Sequence, residues 1–213
     1  MTTGFDYLKD PAAIYAQSFD TVAREARPER FGPDAALVTR LVHACGMPEI
    51  ADDLVLVGGV LDAAAQAIRN GGTILCDCEM VRHGITARFL PPDVEPLCTL
   101  NDERVPALAE QQGTTRSAAA VTLWPDRLSG AVVAIGNAPT ALFQLMEDIQ
   151  SGKPKPAAIF AFPVGFVGAQ ESKQALIGAG LGIPFATLPD RRGGSAMAAA
   201  AVNATLLAAG ETS

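Results

Sequence analysis

Five short apolar runs, almost free of polar interruption, recur from residue 73 onward: Thr73–Cys76, Pro96–Leu100, Ala131–Ile135, Ala157–Phe162 and Pro184–Leu188. Strands that face solvent on one side alternate polar with apolar residues. Runs without that alternation belong to strands buried on both faces, which is the pattern of a parallel sheet with helices on either side. Helical stretches fit between and after them, at 103–124, 139–150, 170–178 and 194–208. Before the first run, helices fit at 8–27, Asp34–Cys45 and Val60–Asn70, the last closed by Gly71-Gly72 in the C-terminal cap position. The expected fold is therefore one three-layer α/β/α domain over 1–213, with a flavodoxin-like five-stranded parallel sheet and an N-terminal helical extension. The chain has 213 residues, 49% of them hydrophobic, enough for one continuous core without disulfides or a structural metal.

Ligands of such sheets bind beyond the carboxyl ends of the strands. Four segments fall there: Asp77–Thr86, Gly136-Asn137-Ala138-Pro139-Thr140, Pro163–Lys173 and Asp190–Ser195. The last two contain Gly165, Gly168, Gly193 and Gly194, with Lys173 and Arg191-Arg192 nearby. Glycines let backbone approach a ligand, and a helix N-terminus offers unpaired amides to an anion. The same glycines also serve simply as tight strand–helix turns. Asn137 suits either a helix cap or a ligand contact. Gly113 should break the 103–124 helix, so that Thr114 or Thr115 caps its second part and Arg116 lies in the new first turn. A cation there opposes the helix dipole, so an anionic partner or plain solvation must account for it.

Formal net charge is −7, which argues against nucleic acid or an anionic membrane surface as the main partner. No apolar run approaches the ~20 residues needed to cross a bilayer, and no signal peptide is visible, so the cytoplasm is the expected compartment. Neither a dinucleotide fingerprint, a phosphate-loop lysine motif nor a nucleophile-elbow serine motif is present. Cys45, Cys76, Cys78 and Cys98 lack zinc-ligand spacing and read as small core residues. Only two histidines exist, so histidine acid–base chemistry falls to one of them. His43 closes an apolar helix, where a histidine often only meets terminal carbonyls. His83 follows the first apolar run.

Several segments in a fixed order resemble the precorrin-8X methylmutase family of cobalamin biosynthesis. They are Tyr7-Leu8 with Asp10-Pro11, Ile14 with Ser18-Phe19, Val42-His43-Ala44-Cys45-Gly46, Thr114-Thr115-Arg116-Ser117-Ala118, Gly136–Leu142, Pro163–Ala169 with Glu171-Ser172-Lys173, and Gly193-Gly194-Ser195. The resemblance implies an isomerase with no dissociable cofactor and no metal. It moves a methyl group from carbon 11 to carbon 12 of precorrin-8X, giving hydrogenobyrinate, or makes the same shift on a cobalt-containing ring. It also implies a flavodoxin-like homodimer and places the key histidine at His43. The substrate carries many carboxylates, for which Ser18, Thr115, Arg116, Ser117, Asn137, Gly165, Gly168, Lys173, Arg192, Gly194 and Ser195 are the expected contacts. The shift is intramolecular, so the protein needs only to favour the reactive tautomer and ring shape, and one proton donor with a pKa near ~6.5 suits that task. A non-catalytic corrinoid carrier and a nucleotide-dependent α/β enzyme are the alternatives.

Overall fold

A computed structural model describes residues 4–210; residues 1–3 and 211–213 of the single domain expected over 1–213 lie outside the described residues. The elements run α1 (Pro11–Ala26), a 3-10 stretch (Pro28–Asp34), α2 (Ala35–Cys45), α3 (Ile50–Asp53), β1 (Val55–Val57), α4 (Val60–Arg69), β2 (Ile74–Cys76) and α5 (Glu79–Gly84). After a 3-10 turn at Ala87–Phe89 come β3 (Pro96–Cys98), α6 (Val105–Gln112), α7 (Arg116–Val121), α8 (Pro125–Leu128) and β4 (Val132–Ile135). The chain ends with α9 (Pro139–Gln150), β5 (Ala158–Ala161), α10 (Ala169–Gly178), β6 (Phe185–Thr187) and α11 (Ser195–Gly210).

All five expected strands are present, each within its apolar run. The sheet nevertheless has six strands, in the order β1-β6-β5-β4-β2-β3, and it is mixed rather than wholly parallel. Five strands pair in parallel, while β1 pairs antiparallel with β6 through Val55↔Thr187, Leu56↔Ala186 and Val57↔Phe185. This corrects the expected five-stranded parallel sheet. The sixth strand escaped notice because it is only three residues long and half exposed, as edge strands often are.

Side chains alternate between two cores, as a strand's two-residue period requires. Val132, Ala134, Ala158 and Phe160 join residues of α2, α4, α5 and α11 on one face. Val133, Ile135, Ile159 and Ala161 join α9 and α10 on the other. α11 carries no charged residue and is apolar all round, which fits its central place against α2, α4 and α5. The 103–124 stretch breaks as expected: Gly113 adopts φ 61 at the end of α6, and the Thr115 hydroxyl accepts from the Ala118 amide to cap α7.

The strand order sets the site. From β2 the chain moves outward to β3, whereas from β4 it moves the other way to β5 and β6. The crevice where these directions part, between the carboxyl ends of β2 and β4, is the usual ligand position in an open α/β sheet. Asp77 directly follows β2 and Gly136 directly follows β4.

Candidate active site

That crevice is filled by the protein itself. Asp77 Oδ1 accepts from the Gly136 amide at 2.9 Å, and Oδ2 accepts from Asn137 and Ala138 at 2.9 and 2.8 Å. The three amides precede α9, where helix geometry leaves N–H groups without intrahelical acceptors. Burial raises the Asp77 pKa, while the three amides and Cys78 oppose the rise. Asn137 therefore does not cap α9, whose N-cap is Ala138, and its exposed side chain is left for other contacts. No sequence motif marked Asp77, an acidic residue directly after a buried strand.

The glycine-containing loops do meet on this edge. The Gly194 amide donates to Phe162 O at 2.8 Å, and the Gly165 amide to Arg191 O at 3.3 Å. Gly168 begins α10 with φ 82 and lies against Pro139 at the start of α9. The Ser195 backbone abuts Gly136, where any added Cβ would collide with it at 2.7 Å. Thr115 and Thr140 join the starts of α7 and α9 through their hydroxyls, 2.7 Å apart. Ser117 is half-buried in the first turn of α7.

Three expected carboxylate contacts have other occupations. Lys173 is 0% exposed, and its Nζ donates to Pro163 O at 2.9 Å and Arg192 O at 2.6 Å, so it is a strut between the two loops. Arg192 pairs with Asp190 and with Asp53, which the antiparallel β1 brings beside the end of β6. Ser195 is buried with its hydroxyl 3.4 Å from Cys78 Sγ. The exposed cations of this edge are instead Arg116, which donates to Leu100 O and Asn101 Oδ1, and Arg191, stacked over Phe166.

Burial pushes the Lys173 pKa down to about 8. Its folded value then lies below its unfolded one, so the unfolded chain holds the proton between the two. Wild-type stability should therefore rise, relative to a Lys173→Met variant, as pH increases from 8 towards 10. Urea denaturation of both proteins across that range checks it, and parallel pH curves would contradict it.

His43 stands at the end of α2 in a groove of about 440 Å³ between α1 and α2, lined also by Ile14, Ser18, Val22, Glu25 and Pro48. The His43 ring is exposed, and its Nδ1 lies 2.9 Å from Ser18 Oγ. Ser18 therefore contacts His43, on an α1 turn that also sets Phe19 5.1 Å and Tyr15 6.3 Å from the His43 ring. Arg40, one turn before His43 on α2, lies over Phe19 at 5.1 Å and Tyr15 at 5.8 Å. The described residues give Arg40 no carboxylate partner. Sequence reading missed Arg40, although its i, i+3 spacing to His43 put both on one helix face.

His83 lies elsewhere, exposed on α5, with Nδ1 2.8 Å from Glu79 O. Cys76 and Cys78 are buried and Cys45 and Cys98 half-buried, and burial raises all four thiol pKa values. No described helix is long and apolar enough to cross a membrane.

The family model described as Precorrin-8X methylmutase matches residues 13–208. A Precorrin-8X methylmutase from Sinorhizobium sp is 53% identical over 93% of this chain and 95% of its own length. A Cobalt-precorrin-8 methylmutase from Salmonella typhimurium is 36% identical over 94% of this chain and 96% of its own. The crystal structure of a precorrin-8x methyl mutase from Thermus thermophilus superposes with a TM-score of 0.83 at 34% identity, covering 94% of this chain and 98% of that one.

Proposed function

This chain belongs to the precorrin-8X methylmutase family, and from that premise we propose that the groove between α1 and α2 is where the methyl shift takes place, with His43 handling its proton. The protein is an isomerase of cobalamin biosynthesis. It converts precorrin-8X to hydrogenobyrinate: the bond from the migrating methyl to carbon 11 breaks as the bond to carbon 12 forms, within one molecule. The observation that carries the assignment of roles is the exposed His43 ring, oriented by Ser18 and walled by Phe19 and Tyr15.

Substrate and product have the same number of protons, so any proton His43 takes must be returned. Moving one proton on the macrocycle selects the tautomer in which the methyl group can migrate, and holding the ring in shape supplies the remaining effect. Flat apolar faces on Phe19 and Tyr15 suit a conjugated ring. The peripheral carboxylates are matched by guanidinium groups that lack carboxylate partners among the described residues: Arg40 over Phe19 and Tyr15 beside His43, and Arg116 and Arg191 at the sheet edge. Thr115, Ser117, Asn137 and the Gly165, Gly168 and Gly194 backbone complete the rim, Lys173 and Arg192 acting from behind it. This arrangement lets an acidic protein hold a polyanion.

The metal-free macrocycle is the preferred substrate on the gradient of identity, 53% to the relative named for precorrin-8X against 36% to the one named for cobalt-precorrin-8. The scaffold is one domain, flavodoxin-like in its five parallel strands, with β1 added at one edge. Homodimer formation is supported by the apolar side chains Phe5, Tyr7, Leu8, Ile14 and Tyr15, all exposed at or near the start of α1. The reducing cytoplasm suits four unpaired thiols.

Incubation with precorrin-8X, followed by visible absorption, tests the function. Appearance of the hydrogenobyrinate chromophore is the expected result. A folded protein that binds and releases precorrin-8X unaltered would instead be a carrier. Arg40→Ala should raise KM about 10–100-fold with a smaller change in kcat, because a lost charge-assisted hydrogen bond contributes about 1.5–3 kcal/mol. Steady-state kinetics on precorrin-8X check this, and an unchanged KM would remove Arg40 from binding.

A further inference from the structure

We propose that Ser18 is a positioning residue that keeps the His43 proton on Nδ1, leaving Nε2 as the one nitrogen that takes and returns a proton. The inference rests on the assignment of His43 made above. Its geometric basis is the 2.9 Å separation of Ser18 Oγ and His43 Nδ1 across the two helices that wall the groove. A serine hydroxyl can accept from Nδ1–H or donate to a bare Nδ1, the first of these being the one proposed for the Ser18–His43 pair. That bond persists whether the ring is neutral or cationic, because Nδ1 carries hydrogen in both forms. Only Nε2 then changes state: it accepts a proton from one position of the macrocycle, the ring becomes imidazolium, and the same Nε2 delivers the proton to another position. No proton, electron or ring flip is left over.

The chemical identity of the partner matters. A carboxylate on Nδ1 would favour imidazolium and oppose return of the proton. His83 shows the contrast within the same chain, its Nδ1 lying 2.8 Å from Glu79 O and 3.5 Å from the Glu79 carboxylate. His43 has a neutral hydroxyl instead, which orients without adding charge. The other titratable and charged groups around the groove are Tyr15 and Glu25 on α1, Arg40 and Cys45 on α2, and Glu49 on the segment after it. α11, packed on α2, brings none.

Two measurements test this together. In nitrogen NMR of the full protein with labelled histidine, the neutral His43 ring should carry its proton on Nδ1. In Ser18→Ala it should move towards Nε2, the tautomer that a free histidine side chain prefers. In kinetics on precorrin-8X, Ser18→Ala should lower kcat about tenfold to a hundredfold with KM little changed. Ser18→Thr should restore most of it, and Ser18→Asp should move the His43 limb of the pH–rate profile to higher pH. A merely structural serine would leave the tautomer and kcat unchanged in Ser18→Ala, and that outcome overturns the proposal. If the wild-type protein does not turn over precorrin-8X, the functional assignment fails instead, while the NMR result still decides whether Ser18 sets the tautomer.

Discussion

Replacing His43 by alanine should lower kcat for the methyl shift by about 10²–10⁴-fold, the range for a positioned general acid or base, while the fold and macrocycle binding persist. The separation of effects follows from where the side chain sits. His43 is exposed at the end of α2, and its one hydrogen bond among the described residues is to Ser18. The helix beneath it is secured by Leu37, Val38, Leu41 and Val42, all buried. Truncation therefore opens no core cavity, and the stability change should stay within about 0.5 kcal/mol. The aromatic faces and guanidinium groups proposed to bind the macrocycle are left alone by the substitution. Parallel measurement of turnover, of macrocycle binding by absorption and of urea denaturation checks all three expectations. Unchanged turnover would take His43 out of the mechanism.

Asp77→Ala should be the most destabilising polar substitution considered, costing about 3 kcal/mol. Three amides at the start of α9 lose their acceptor, and each unsatisfied buried group costs about 1–3 kcal/mol. Relief of the desolvation that raises the Asp77 pKa returns part of this, and water entering the cavity returns more, so the costs do not simply add. Asp77→Asn retains one acceptor oxygen but turns an N–H₂ towards one set of amides, and should fall between wild type and alanine. Formate, small enough for the vacated space, should stabilise Asp77→Ala more than chloride at equal ionic strength, and should not do so for wild type. Equilibrium urea denaturation of the three proteins is the measurement. An alanine variant within 1 kcal/mol of wild type, on the scale of an ordinary point substitution at roughly that value, would show that the amides find other partners.

Features carried by consecutive residues were legible in the sequence. The five parallel strands lie inside the apolar runs because strands buried on both faces have no polar period to blur them. The break at Gly113 and the Thr115 cap followed from local helix rules. Three residues of β1 were too short a signal. What the site does with its polar groups was less legible, since it depends on contacts between distant positions. Asp77 meets Gly136 across 59 residues of sequence, and Ser18 meets His43 across 25. Lys173 and Arg192 have the composition of an anion clamp, but burial under the loop carbonyls and a partner from the unforeseen β1 region commit both to structure. Arg40 acquires its meaning only once Phe19 and Tyr15 are seen beneath it.

The most direct test of the central claim uses precorrin-8X carrying carbon-13 in its carbon-11 methyl group and a second isotopic label elsewhere in the ring, mixed with unlabelled substrate and converted by the wild-type protein. The account predicts hydrogenobyrinate whose labelled methyl is attached to carbon 12, with each labelled molecule retaining its own label. Label exchanged between molecules, lost to solvent, or left at carbon 11 after prolonged incubation with folded protein would contradict it.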